Sequence, residues 1–199
     1  VKHLQHLKMG DETSLRLTEA ELCLQLGTCH RRRSEWKVAE DYFASGRNLY
    51  ANVVTKAGRI GTATALIELA GLHNFKGDGH EALEYCQQAL AIGERENDPK
   101  TIYKAWQHQA WASRLLGRWD DALTLNLQAL DKIHQTTHDE AEMVRANIYL
   151  GETYRLRRRY EDAEQCYLEA QKRLRKSGDE GQSARLHQGL IMLGLGQVY

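Results

Sequence analysis

The chain has 199 residues, and its 27 Lys and Arg balance its 27 Asp and Glu, so the formal net charge is zero. A chain without net charge lacks the overall positive field of most nucleic-acid-binding proteins, and no apolar run reaches the ~20 residues that cross a bilayer. A single proline, Pro99, lies among many strong helix formers, which favours an all-helical fold.

The spacing of apolar residues predicts a succession of helices separated by short turns. Ser34 is the predicted N-cap of the second helix, and Pro99 suits the first turn of the fifth. Gly77, Gly117 and Gly178 are predicted helix stops. In chain order the helices are predicted at 13–33, 35–56, 59–77, 79–96, 99–116, 119–135, 139–158, 160–177 and 180–199, and residues 1–9 are predicted to end an earlier helix.

Four segments of the chain repeat one arrangement of small residues. Each has an alanine at the same place, and these alanines are 43, 40 and 41 residues apart. Short side chains let two helices approach closely, so the pattern predicts helix hairpins that stack on one another. Large residues such as Leu26, Trp36 and Phe43 would fill the space between hairpins. The small residues are Ala39, Ala82, Ala122 and Ala163, with Gly46, Ala89, Ala129 and Ala170 seven residues later and Gly27, Ala70, Ala110 and Gly151 twelve residues earlier.

This arrangement resembles the tetratricopeptide repeat (TPR) family. The family's first helix is matched by Leu26-Gly27, Leu69-Ala70 and Leu150-Gly151-x-x-Tyr154, and its second by Ala39-x-x-x-Phe43-x-x-Gly46 and Ala163-x-x-x-Tyr167-x-x-Ala170. The period is longer than the family's usual 34 residues and is similar to that of kinesin light chains and bacterial signalling regulators. The resemblance implies an all-α, right-handed superhelical solenoid of antiparallel helix hairpins.

We expect a single TPR-like array over residues 1–199. Its full repeats are predicted at 13–56, 59–96, 99–135 and 139–177, and its partial repeats at 1–9 and 180–199. Near the last residue, Leu190, Ile191, Leu193 and Leu195 form an apolar surface that lacks a partner helix. We therefore expect a fragment of a longer protein, in which the C-terminal helix could support self-association.

In TPR arrays the first helices line a concave groove that holds ligands, and helical spacing predicts which residues would face it. An exposed Trp and Tyr beside several Arg are typical of protein-binding surfaces, and Arg holds carboxylates with paired hydrogen bonds. A protein or peptide ligand, acidic in character, is therefore predicted; alternatively, the aromatic residues pack between hairpins and the arginines form a solvated face. The candidates are Thr28, Arg31, Asn74, Lys104, Gln107, His108, Trp111, Arg114, Arg145, Tyr149, Glu152 and Arg155.

The predicted function is an interaction scaffold, a sensor or regulatory module of a larger cytoplasmic signalling protein, and not an enzyme. A receptor for a small ligand or a peptide pheromone is the alternative. Nucleic-acid binding through the arginine runs 31–33 and 157–159 is less favoured, because both runs close a first helix, where cations meet the negative end of the helix dipole.

Metal and redox sites are not predicted, and neither is a cofactor. His134 and His138 have the spacing of a zinc pair, as His3 and His6 nearly do, but a loop separates the first pair. The cysteines Cys23, Cys29, Cys86 and Cys166 form no CxxC pair, so they are predicted to be buried apolar residues in a reducing compartment.

Overall fold

The computed structural model describes residues 2–137, 139–178 and 181–198. Within these ranges the chain forms nine α-helices and no strand, as the repeat pattern predicts. The helices are α1 (Lys2–Arg32), α2 (Trp36–Ala51), α3 (Lys56–Lys76), α4 (Gly79–Arg95), α5 (Pro99–Leu115), α6 (Trp119–Thr136), α7 (Glu140–Leu156), α8 (Tyr160–Ser177) and α9 (Gln182–Gly196).

Two helices differ from the prediction in extent. Helix α1 is continuous from Lys2, whereas the sequence predicted a break near Gly10; a glycine costs a helix interior only about 1 kcal/mol relative to alanine, which does not force an end. Helix α2 stops at Ala51, before the predicted residue 56, because Thr55 is extended and its hydroxyl caps α3 at Gly58. Val1, Glu180 and Tyr199, which fall in the predicted partial repeats, lie outside the described residues.

The turn between the two helices of a hairpin is the same in all four copies. One or two places after the first helix a residue has a positive φ, and two backbone hydrogen bonds then close the helix end, as in a Schellman motif. Ser34 occupies this place in the first copy, so it ends α1 and the predicted N-cap of α2 is wrong; the cap is Glu35, without a side-chain hydrogen bond. The four φ values are 61° at Ser34, 87° at Gly77, 71° at Gly117 and 60° at Arg158.

The chain divides into two compact units, Val1–His108 and Gln109–Tyr199. In the first unit α1 contacts α2 and α3, and α3 contacts α4. In the second, α7 contacts α6, α8 and α9. In both units, therefore, first helices pack against the second helix of their own hairpin and against the neighbouring hairpin.

The small residues of the repeat lie where helices meet. All four alanines of the first set are fully buried. A Cβ added to Gly27 would lie 2.6 Å from the ring of Phe43, and one added to Gly151 would lie 2.9 Å from the ring of Tyr167. The predicted close approach of paired helices is thus confirmed in both units.

The large residues follow the prediction with one exception. Phe43 is fully buried, and Trp36 is half-buried and stacks on Phe75 at 6.4 Å. Leu26 is 43% exposed, although Leu69 and Leu150 at the matching places are buried. Leu26 lies on α1, the first helix described, and no described hairpin covers that face.

Candidate functional site

Four of the predicted binding residues occupy one repeated position. Arg31, Asn74, Arg114 and Arg155 each lie eight residues before the buried alanine of their copy, on the last turn of a first helix. Three of the four are arginines, so a cationic side chain recurs at the same place beside the hairpin turn. Two side-chain clusters form around this position, one in each unit.

The first cluster belongs to the first unit and consists of Arg31, Glu68, Gly71, Asn74 and His108. Arg31 pairs with Glu68 at 3.3 Å, and its guanidinium lies over the ring of Phe75 at 5.5 Å. A Cβ added to Gly71 would meet both Arg31 and His108, at 3.0 and 3.1 Å, so both side chains lie against this glycine. The Arg31 charge is therefore already balanced by a carboxylate of the next hairpin.

Two predicted binding residues of this unit are interior. Asn74 is 2% exposed and donates a hydrogen bond of 3.0 Å to the backbone carbonyl of His108. Gln107 is 4% exposed. The sequence predicted both on an open face, but the rotation of their helices turns them inward, where Asn74 ties α3 to α5.

The second cluster belongs to the second unit and consists of Arg114, Tyr149, Glu152, Arg155 and Tyr167. Arg155 donates two hydrogen bonds to the Glu152 carboxylate, from Nε at 2.9 Å and from Nη2 at 2.8 Å. The hydroxyl of Tyr167 donates a third, at 2.8 Å. Glu152 is thus held from its own helix and from α8.

Arg114 is the second cation of this cluster. The residue is half-buried, and the Nη1 of its guanidinium is buried without a hydrogen-bond partner among the described residues. Burial lowers the pKa of Arg114, although the negative charge of Glu152 opposes this. Burial by itself would raise the pKa of Glu152, but hydrogen bonds from Arg155 and Tyr167 and the charges of both arginines lower it overall. The cluster therefore contains two guanidinium groups and one carboxylate.

The remaining predicted residues are less exposed than the sequence suggests. Arg145 pairs with Glu142 at 3.1 Å. Trp111 and Tyr149, predicted to be exposed, are half-buried, as are Thr28 and Lys104. The structure thus brings together Arg31 with His108, and Arg114 with Tyr149, Glu152 and Arg155. Ligand binding stays a prediction for all twelve residues.

The arginine runs are engaged with carboxylates, not simply solvated. In the first run Arg33 pairs with Glu35 at 3.1 Å, in addition to the Arg31 pair. In the second, Arg157 pairs with Asp120 at 2.8 Å and Arg159 with Asp162 at 2.6 Å. Four of the six arginines are therefore neutralised locally.

Among the metal, redox and membrane features of the described residues, those of the cysteines differ from the prediction. Among the described side chains, no group of three or more His, Cys, Asp or Glu residues could hold a metal ion; His138 lies outside the described residues. Cys86 is buried as predicted, but Cys29 is exposed because it faces outward on α1. In the same described ranges no helix has the length and apolar character to span a bilayer.

Two members of the clusters were missed by the sequence analysis. Tyr167 aligns with Phe43 in the repeat and is buried as Phe43 is, but a buried tyrosine hydroxyl needs a hydrogen-bond partner. The exchange of Phe for Tyr, beside a glutamate on the facing helix, was a signal for the Tyr167–Glu152 bond. Glu68 gave no comparable signal, because a glutamate on a helix surface is ordinary.

Comparison with known proteins gives the following similarities. The family model described as tetratricopeptide repeat matches residues 61–132. No curated protein matches the chain in sequence. A Rap protein complexed with competence and sporulation factor has a TM-score of 0.76 at 17% identity, over 91% of this chain and 48% of the Rap chain.

Two further solved structures extend the comparison. A putative kinesin light chain with nearly identical TPR-like repeats from Podosopora anserina has a TM-score of 0.65 at 14% identity, over 91% of this chain and 87% of that one. A signal transduction ATPase with numerous domains and a tetratricopeptide repeat sensor, from Pyrococcus horikoshii, has a TM-score of 0.66 at 14% identity. The match covers 92% of this chain and 27% of the ATPase chain.

At these identities the solved structures show the fold. The chain spans about half the length of two Rap proteins that it resembles, with 51% and 48% of their chains covered. A kinesin light chain and signalling proteins, the groups to which the repeat spacing is similar, are among these neighbours. Residues 61–132 therefore match the tetratricopeptide repeat model, and the chain has the all-helical fold of TPR-like repeat proteins.

Proposed function

We propose that this chain is a peptide- or protein-binding module, and that its second cluster receives an acidic side chain of the ligand through Arg114. One observation carries the proposal: Arg114 is a half-buried cation whose buried Nη1 has no hydrogen-bond partner among the described residues, in a cluster whose carboxylate is already held by Arg155. A buried charge is costly unless it is paired. A carboxylate from a bound ligand would supply the missing partner.

Fold relatives support a sensor or regulatory role within a larger cytoplasmic signalling protein. One solved neighbour is a Rap protein in complex with competence and sporulation factor, and another carries its repeats as a sensor. The receptor alternative uses the same cluster and differs in the size of the ligand. Catalysis is not proposed, since the cluster unites no nucleophile with a general base.

Paired peptide arrays test the proposal directly. Each extended peptide is printed in two versions, which differ by exchange of one Asp or Glu for Asn or Gln. Wild type should bind acidic versions more tightly, on the order of ten- to a hundredfold, as expected for a charge-assisted hydrogen bond in a desolvated site. The variant Arg114→Met should lose this preference.

The control is Arg118→Met, which removes an exposed arginine four residues further along the chain. It should bind as wild type does. If Arg114→Met kept the full preference for acidic peptides, Arg114 would not be the carboxylate site. If wild type bound neither version of any peptide, the wider proposal of peptide binding would be overturned.

A further inference from the structure

The second cluster differs from the first in its balance of charge. In the first cluster Arg31 pairs with one carboxylate at 3.3 Å, and the matching place of the next copy holds the neutral, buried Asn74. In the second cluster both places are arginines, Arg114 and Arg155, beside the single carboxylate of Glu152. With its histidine neutral, the first cluster is therefore balanced, whereas the second has one excess positive charge.

The Glu152 carboxylate is held in place from two helices. Arg155 donates to both of its oxygens, at 2.8 and 2.9 Å, and the hydroxyl of Tyr167 donates to Oε2 at 2.8 Å. The ring of Tyr167 is 1% exposed and packs against Gly151 and Gly194. Burial by itself would raise the pKa of Glu152, but these hydrogen bonds and the arginine charges lower it overall. The carboxylate is therefore a fixed negative charge at neutral pH.

This fixed charge limits the anions that the cluster can accept. Arg155 uses Nε and Nη2 on Glu152, while the buried Nη1 of Arg114 has no hydrogen-bond partner among the described residues. A ligand carboxylate, with one negative charge, would neutralise the excess charge. A phosphate monoester carries close to two negative charges at neutral pH, so its second charge would lie near Glu152 without a partner. Like charges brought together in a partly desolvated site are costly.

We propose that Glu152 makes the second cluster selective for a singly charged carboxylate over a phosphate. The inference rests on the proposed binding of an acidic ligand by Arg114, and it adds which kind of anion that ligand presents. Glu152 is then a specificity-determining residue that needs no contact with the ligand, because it acts through the charge balance of the cluster. An Asp or Glu side chain fits this balance, and a phosphorylated side chain does not.

Four versions of one peptide test the selectivity in the wild-type protein. The peptide is one from the arrays whose binding falls when a single Glu becomes Gln, and its versions carry Glu, Gln, Ser or phosphoserine at that position. In calorimetric titrations at pH 8, wild type should bind the Glu version about tenfold more tightly than the phosphoserine version. At pH 5 the phosphate has become a monoanion, and this ratio should fall towards one. The Glu version, measured at both pH values, corrects for titration of the protein itself.

Glu152→Gln removes the fixed charge and keeps the size of the side chain. At pH 8 this variant should bind the phosphoserine version at least as tightly as the Glu version, because two arginines then lack an anion. The matched control is Glu161→Gln, which changes the net charge of the chain equally at an exposed position in the first turn of α8. It should keep the wild-type ratio.

The possible results separate this selectivity from the proposed function. If wild type binds no Glu version, binding of an acidic ligand is itself wrong. If wild type binds the Glu version but binds the phosphoserine version equally well at pH 8, the selectivity is overturned and the proposed function stands. A folded Glu152→Gln protein with the wild-type ratio would also overturn the selectivity. The wild-type measurements at two pH values need no variant, so they decide the question if Glu152→Gln does not fold.

Discussion

At the residue scale, Arg114 and Arg155 share one carboxylate, Glu152, and Arg155 holds it with two hydrogen bonds. Replacing a buried cation that lacks its own anion by an apolar side chain is often neutral or stabilising. Arg114→Met should therefore melt at or above the wild-type temperature. Arg155→Met should instead lose about 1–2 kcal/mol, because Glu152 is left with fewer hydrogen bonds. Thermal denaturation checks both, and a destabilised Arg114→Met would mean that the guanidinium serves the fold.

The same cluster predicts a dependence on pH. The pKa of Glu152 is lowered in the folded protein, so its contribution to the free energy of unfolding is complete above the ordinary glutamate pKa of about 4.3. The contribution is lost as the pH falls below that value through the folded pKa. Melting temperatures of wild type and Glu152→Gln should therefore differ at pH 7 and converge below about pH 4. A difference that stayed constant over this range would contradict the assignment.

Arg158 adopts a positive φ of 60°, at a place that glycine occupies in two other copies. A side chain in this conformation costs roughly 1 kcal/mol, which glycine avoids. Arg158→Gly should raise the free energy of unfolding by about that amount. Arg158→Ala removes the same charge but keeps the Cβ, and urea denaturation should show no gain for it.

At the element scale, the close approach of paired helices depends on glycines that leave room for a ring of the other helix. Gly27→Ala would place a methyl group 2.6 Å from the ring of Phe43, which is fully buried. Overpacking of this kind costs about 1–3 kcal/mol. The double variant Gly27→Ala with Phe43→Leu should recover part of the loss, because the smaller side chain vacates the ring's position. Equal stability of the two variants in urea denaturation would show that Phe43 is not what the new methyl meets.

The helices were predictable because their signals are local and repeated. The small residues recur in step, and glycine stops at Gly77, Gly117 and Gly178 have the positive φ that ends a helix. The N-cap of α2 was wrongly predicted at Ser34 because serine is a frequent N-cap. The left-handed conformation of Ser34 is imposed by the turn. In the candidate site, the repeated position of Arg31, Arg114 and Arg155 could be predicted from the repeat register. The burial of Asn74 could not, because it depends on the rotation of α3 about its axis, and the spacing of apolar residues determines that angle only roughly.

At the scale of the whole molecule, zero net charge and local pairing together decide what the arginine runs can do. Nonspecific affinity for nucleic acid comes from cations that displace the counterions of phosphates. Here four arginines of the two runs are paired with carboxylates, so binding would first have to break those pairs. Because 27 acidic residues balance 27 basic ones, the chain also has no net positive charge to attract a polyanion.

We therefore expect no saturable binding of duplex DNA or single-stranded RNA at physiological salt at protein concentrations up to about 100 µM, the weak end of nonspecific affinities. Fluorescence anisotropy with labelled oligonucleotides, at two salt concentrations, measures this. A double variant, Glu35→Gln with Asp162→Asn, is the informative comparison, since it releases Arg33 and Arg159 from their partners. Weak, salt-sensitive binding of the oligonucleotides should then appear in the variant. Salt-sensitive binding by the wild type would contradict the prediction, because it would show that the paired arginines leave their carboxylates to bind phosphates.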